Sequence, residues 1–369
     1  EAGYQVHEKI GATGVVGILQ NGDGPTVLVR ADMDALPIKE ETGLPYASTD
    51  HQTDSSGEDV PVAHACGHDV HVASLMGAAR LLAANRSAWH GTFLPLFQPA
   101  EEVGSGADAM VRGGLEKLIP KPDVAMAQHV LVYAAGTVGT RAGPFLSTAA
   151  SMRITVHGRG SHGSMPQLSI DPVVLASMIV VRLQAIVARE VAPGDFAVLT
   201  VGRIAAGTKS NIIPDRAVIE LNIRAYDDRV RAQLIDAIQR VVKGECQASG
   251  SPQDPEFELY DEYPLTSNDP DVTAKVAAAF KEYFGDQAFE AGRQSASEDF
   301  SNIPTALGVP YTYWALGGID DKKWHEAEAA GTLRDIPANH SPKFAPVIEP
   351  TLKAGTAAIV VAALAWLAS

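Results

Sequence analysis

Pro25-Thr-Val-Leu-Val-Arg30 is the stretch whose reading sets the fold. Its unbroken run of apolar and β-branched residues reads as a short strand covered on both faces, the kind that parallel sheets use. The pattern repeats outward from it. Asp69 reads as the N-cap of a helix through Val72, Leu75, Met76, Ala79 and Leu82, residues 92–97 form a second strand, and 123–130 a third. Strands separated by helices of this length imply a largely parallel α/β sheet.

The character changes near Leu146. Met152-Arg-Ile-Thr-Val-His157 alternates, and Asp171-Pro172 opens a long helix with Val174, Ile179, Leu183 and Ile186 apolar. Strands at 196–204 and 216–224, a helix at 228–246 and a strand at 255–260 complete a β-α-β-β-α-β order, the ferredoxin-like plan. From about Thr266 the α/β alternation resumes. The expected fold class is α/β: a mostly parallel-sheet catalytic domain, residues 1–147 and 265–369, with an inserted ferredoxin-like α+β domain at 148–264.

Composition bounds the function. The 369 residues exceed what one core usually grows to, and 46% apolar with 20% charged residues is ordinary globular composition. There are 29 basic and 44 acidic side chains, a net charge of −15. That balance argues against nucleic acid or an anionic membrane as a partner, because phosphates require a basic footprint. Two cysteines, Cys66 and Cys246, exclude a disulfide framework and fit a reducing, cytoplasmic compartment. The apolar stretch 354–369 is shorter than the roughly 20 residues a bilayer needs and reads as a docked terminal helix. The chain opens on Glu1, so a preceding natural start is expected.

Three of the eleven histidines fall in His64-Ala-Cys66-Gly-His68-Asp69-Val-His71. Side chains two apart share a face of an extended segment, so His64, Cys66 and His68 are expected to converge. A thiolate beside an imidazole suits a transition metal, although a loop with a buried Cys and surface histidines reads equally well. His64 and His71 read equally well as supporting or structural residues and as ligands. Gln98-Pro-Ala-Glu101-Glu102 follows an apolar strand, and strand carboxyl ends are where open α/β sheets bind ligands. An adjacent Glu pair alone is usually solvated surface. Here one carboxylate can bind metal while the other faces a water. His129 ends an apolar segment and His340 sits in Ala338-Asn-His-Ser-Pro342. Together these residues offer sulfur, nitrogen and oxygen ligands enough for two ions. Gly158-Arg-Gly-Ser-His-Gly163 matches G-x-G-x-x-G, but Pro166 intervenes before the helix, so it is not a nucleotide loop. No G-x-S-x-G elbow supplies a serine nucleophile.

Several motifs carry a resemblance: Val29-Arg-Ala-Asp32-Met-Asp34-Ala-Leu-Pro37, His64-Ala-Cys-Gly-His-Asp69, Gln98-Pro-Ala-Glu-Glu102 and Asn339-His-Ser-Pro342. Gly158 to Gly163, Ser210-Asn-Ile-Ile-Pro214, Asn222-Ile-Arg224 and Ser297-Glu-Asp-Phe300 fit the same pattern. The chain resembles the metal-dependent aminoacylase/carboxypeptidase family. It looks closest to the amidohydrolase branch of hippurate hydrolases, N-acyl-amino-acid amidohydrolases and auxin-conjugate hydrolases. The resemblance implies Cys66, His68, Glu102, His129 and His340 as ligands of one or two divalent ions, zinc first, with manganese, cobalt and nickel also suited. It implies Glu101 as general base and Asp34 as a support of the metal centre. His162, Asn211 and Arg224 would meet the substrate carbonyl and carboxylate.

The implied reaction is hydrolysis of a small N-acyl amino acid. A homodimer through the inserted domain is also implied, since in related enzymes the histidine serves the other subunit. Two departures stand out: the N-terminal helix that the family carries ahead of Gly3-Tyr-Gln-Val6 is absent, and Asp32 stands where distant dipeptidases place a metal-binding His. A di- or aminopeptidase is the competing reading. A silent scaffold of the same fold would have lost Glu101 or several ligands, and none is lost. An acyl pocket is expected around Phe145, Leu146 and residues 314–318.

Overall fold

The computed structural model describes residues 2–54 and 56–368. The chain divides into two compact units, Glu1–Phe145 with Thr266–Arg293 and Asp299–Ser369, and Leu146–Leu265 with Gln294–Glu298.

In the first unit an eight-stranded sheet runs in the order Gln5–Ile10, Gly14–Asn21, Gly91–Gln98, Thr26–Asp32, Val124–Ala134, Tyr311–Ile319, Val138–Thr140, Ala288–Glu290. The four strands from Gly91–Gln98 to Tyr311–Ile319 are mutually parallel. Every residue of Thr26–Asp32 is buried, as a strand covered on both faces requires. The helices His68–Ala84 and Ile348–Leu367 pack on each other and against this sheet.

Two sequence expectations change here. Helix His68–Ala84 is entered through Gly67 in the left-handed region (φ 85°), with no side-chain cap. Asp69 is therefore an exposed first-turn residue, favourable to the helix dipole but not a cap. The terminal helix has 20 residues, so the argument from shortness does not hold. By length and composition it and Pro172–Arg189 could each cross a membrane. Its placement is nonetheless clear: Thr351, Ala354, Gly355, Ala358, Ile359, Ala362 and Ala363 form one buried stripe at spacings of three and four. The close approach depends on small residues. A Cβ on Gly355 would stand 2.5 Å from Ser74 Oγ and 2.8 Å from Leu316 Cδ2.

The second unit is a four-stranded antiparallel sheet ordered Ala197–Ala206, Arg216–Ala225, Thr148–His157, Glu256–Tyr263. Helices Pro172–Arg189 and Asp228–Ala248 complete the ferredoxin-like order. Alternation fixes the register: Met152 pairs Leu221 and Ile154 pairs Ile219, and all four are buried. Asp171 caps its helix through the Val173 and Val174 amides. Val174, expected on the buried stripe, is instead exposed, as are Met178 and Val181 on the same face.

Gly355→Ala should lose about 1–3 kcal/mol of stability by overpacking. Gly244→Ala, in an exposed helix position with no atom within 4 Å of the new Cβ, should gain about 0.5–1 kcal/mol. Scanning calorimetry reads both signs; a harmless Gly355→Ala would mean that the helix contact is not close-packed.

Candidate metal centre

Every proposed ligand lies in the first unit, gathered at the carboxyl ends of its parallel strands. Asp32 closes one strand and Asp34 follows it; Glu101 and Glu102 stand in the turn after Gly91–Gln98. His129 lies within Val124–Ala134 rather than at its end. Residues 64–68 turn rather than extend, with Gly67 N donating to His64 O. Gly67 is required there, since a Cβ would meet Val130 Cγ1 at 2.4 Å. The turn sends Cys66 toward His129 (Sγ to Nε2, 3.5 Å), whereas exposed His64 sets its Nδ1 against the Asp34 carbonyl.

The His68 and His129 imidazoles each have a second contact that orients them. His68 Nδ1 faces Asp34 O at 3.1 Å and Asp34 Oδ1 at 3.2 Å, both acceptors, so Nδ1 carries the hydrogen. His68 Nε2 is then aimed among Asp32, Glu101 and Glu102 at 3.7, 3.9 and 3.8 Å, buried and without a hydrogen-bond partner among the described residues. His129 Nδ1 bonds Val130 O, which leaves Nε2 toward Cys66. His340, in a left-handed backbone conformation (φ 70°), sets Nε2 3.2 Å from Glu102 Oε2. Its neighbour Asn339 donates to both Cys66 O and Val130 O, tying two ligand-bearing segments together. Asp34 Oδ2 accepts the Glu102 amide. Such outer contacts on ligand residues are what a metal site needs.

In the layer beneath, sequence reasoning left His71 open between a supporting residue and a ligand, and gave Arg30 no part. His71 is buried, with Nδ1 on Asp32 Oδ1 and Nε2 accepting the Val130 amide. Both nitrogens are engaged, so His71 is a strut rather than a ligand. Arg30, also buried, reaches Asp32 Oδ2 at 2.6 Å and Gln98 Oε1 at 2.9 Å. The signal was present: a charge inside an otherwise apolar strand.

The donor set fits a divalent ion. Burial pushes the Cys66 thiol up, and the Glu102, Glu101 and Asp32 carboxylates push it the same way. Only a nearby cation makes it a thiolate. Burial disfavours a charged His68, yet Asp32, Asp34 and Glu102 push its pKa up to about 9. A proton there holds the place of a metal. Burial, with His71 and His68 close by, holds His129 well below the usual range, so it remains a neutral donor. The contact with Glu102 raises His340 despite burial.

The other predicted residues belong to the second unit. His162 and Asn211 share a two-stranded ribbon, with Gly163 N donating to Asn211 O; both side chains are exposed. Arg224 turns to neither Asp227 nor Asp228, bonding instead Asn222 Oδ1, Ser295 O and Ser297 Oγ. The expected acyl pocket is not where the sequence suggested. Trp314 is a core residue whose indole donates to Gln128, Phe145 and Leu146 are buried, and Gly317 allows close approach to Ala134 O.

In the metal-free protein, the raised His68 contributes stability that is full below about pH 6.5 and lost as pH rises through about 9. The depressed His129 acts oppositely, its contribution lost as pH falls below about 6.5. Melting with chelator present should therefore show Tm falling from about pH 6.5 to 9, a fall that His68→Gln removes and added metal flattens. A flat alkaline limb in the metal-free wild type would refute the protonated His68.

Comparison with known proteins agrees with this geometry. Residues 28–339 match peptidase family M20/M25/M40. The chain is 36% identical over 361 residues to thermostable carboxypeptidase 1 of Saccharolobus solfataricus, covering 96% of this chain and 85% of that enzyme. It is 38% identical over 306 residues to hippurate hydrolase of Campylobacter jejuni, covering 81% and 76%. Among solved structures it is similar to the Bacillus subtilis YXEP protein, described as a dinuclear metal binding peptidase of the M20 family: TM-score 0.77, 27% identity, 98% of this chain and 88% of that one. The clustered ligands and the whole-length similarity together show that this chain belongs to peptidase family M20/M25/M40, as a metal-binding hydrolase of its amidohydrolase branch.

Proposed function

We propose that the chain hydrolyses the amide bond of N-acyl amino acids, giving a carboxylate and a free amino acid. The observation that carries this reading is the placing of the two adjacent glutamates. Glu102 lies between His68 and His340, whereas Glu101 is buried with its carboxylate 3.9 Å from His68 Nε2. One suits a ligand and the other a base beside it. Cys66, His68, Glu102, His129 and His340 would hold one or two divalent ions, zinc first, with manganese, cobalt or nickel as alternatives. When bound, the metal supplies Lewis acidity, which brings the pKa of a water down toward neutrality.

Glu101 takes the proton of the attacking water and delivers it to the leaving nitrogen, which is otherwise a poor leaving group. Asp34 acts through His68 and Glu102, which it orients. His162 Nδ1 accepts the Ser164 amide, so Nε2 carries the hydrogen, as a donor to a developing oxyanion needs. Arg224 offers a guanidinium to the amino-acid carboxylate, with Asn211 beside His162 on the same ribbon.

The homodimer is part of this proposal. Val174, Met178 and Val181 make an exposed apolar stripe on helix Pro172–Arg189, and the strand Ala197–Ala206 is a sheet edge with Ile204 exposed. An unpaired edge beside an apolar face suits a second copy of the same surface. A cytoplasmic location goes with the reading, since a liganding thiol needs a reducing compartment and both cysteines are free. Cleavage of peptides is the second reading, favoured by the similarity to the Saccharolobus carboxypeptidase.

A panel of N-acetyl, N-benzoyl and long-chain N-acyl amino acids beside free-amine dipeptides, with and without chelator, separates the two. Chelator-sensitive release from acyl amides is expected; turnover of dipeptides alone would move the reading to a peptidase. Glu101→Gln should keep metal and lose about 10²–10⁴ in kcat. Arg224→Ala should chiefly raise KM for carboxylated substrates. Val181→Glu should shift sedimentation to the monomer, and kcat should fall with it if His162 serves the partner's site.

A further inference from the structure

Ser297-Glu-Asp-Phe300 has no part in the reaction so far, yet its aspartate is fully buried beside the site. We propose that Asp299 is a positioning residue, pinning both ends of the turn that carries Glu101 and Glu102.

Asp299 Oδ1 accepts from Gln98 Nε2 at 2.5 Å, and its Oδ2 accepts from the Ala107 amide at 2.9 Å. Gln98 is the last residue of the strand before the turn, and Ala107 lies in the first turn of the helix Gly106–Arg112 after it. One carboxylate therefore spans the whole excursion of the chain from 98 to 107. The Gln98 amide cannot be reversed, because Arg30 Nε donates to its Oε1 and leaves Nε2 as the atom facing Asp299. Arg30 NH2 itself lies 3.5 Å from Asp299 Oδ1.

The turn needs such a pin. Ala100 is held at φ 52°, a left-handed conformation that costs a residue with a Cβ free energy. Its carbonyl accepts from both Ser105 N and Gly106 N, and a Cβ on Gly106 would fall 1.6 Å from Pro99 O. A turn wound this tightly relaxes when one end is released, and both carboxylates move with it. Displacements well under an ångström at such groups are costly in metal affinity and rate.

Turnover as a readout rests on the proposed amide hydrolysis; metal affinity does not. In Asp299→Asn the amide oxygen can serve only one end, and its NH2 confronts a donor at the other. Metal affinity and kcat should each fall about 10–100-fold, with KM within about threefold of wild type. The double variant Gln98→Glu/Asp299→Asn exchanges donor and acceptor at unchanged net charge: the new carboxylate accepts from Arg30 Nε and from the amide at 299, whose oxygen is left for Ala107 N. It should regain most of both quantities.

The pin is overturned if Asp299→Asn keeps metal affinity and kcat within about twofold, or if the exchange is no better than the single change. Should the single variant fail to fold, the exchange is compared directly with wild type, and a fold or metal affinity that it does not restore counts against the pin. If wild type releases no amino acid from any acyl amide, the substrate reading fails alone, and metal affinity across the three proteins still decides the role of Asp299.

Discussion

A guanidinium enclosed in the middle of a parallel sheet sets terms for much of what surrounds it. Arg30 has almost no exposed surface, and an uncompensated charge in such a place costs several kcal/mol. Asp32 answers it directly, Gln98 gives it a carbonyl oxygen, and Phe300 lays a ring against it with the guanidinium carbon 5.9 Å from the centroid. Each partner is drawn into a fixed pose by that need. Asp32 in turn holds His71, whose far nitrogen takes the Val130 amide next to His129. Fold and site share one chain of polar contacts: replacing Arg30 alone would take from buried Asp32 its guanidinium partner, one step from His68.

Above that layer the site carries more acid than the histidines can neutralise. Asp32, Asp34, Glu101 and Glu102 all lie within 4 Å of the His68 imidazole nitrogens. Burial opposes the charge on Asp32, yet Arg30, His68 and His71 keep its carboxyl well below the usual range. Asp34 is likewise held low against burial by His68 and the Glu102 amide. Carboxylates gathered this closely favour a cation among them, and proton and metal compete for that place.

Much of this was legible in the sequence, for physical reasons that differ by element. The parallel strands showed as unbroken apolar runs because both faces are covered, and the inserted unit showed through alternation, since one face of its sheet meets helices. The candidate ligand motifs stood out because Cys, His and Glu together suit a transition metal, and the resemblance singled out the same residues. What could not be read was decided by contacts remote in the chain. A left-handed Gly67 displaced Asp69 from the cap, and the choice between strut and ligand for His71 is made by the Val130 amide, 59 residues away. Val174 fits the apolar pattern of its helix yet faces outward. Trp314 looked like a pocket wall and is enclosed by the terminal helix layer, a consequence of packing that local composition does not encode.

Asn339 and His340 are bonded to the chain at residues 65–66, the far end of the same unit, with the entire ferredoxin-like insertion made in between. The order of synthesis therefore separates the ligands in time. Cys66, His68, Glu102 and His129 are made before the insertion, and Asn339 and the candidate ligand His340 only after it. A nascent chain therefore holds only part of the candidate site until the insertion has been synthesised. On the proposed ligand set, the metal site is completed only after the insertion has been made.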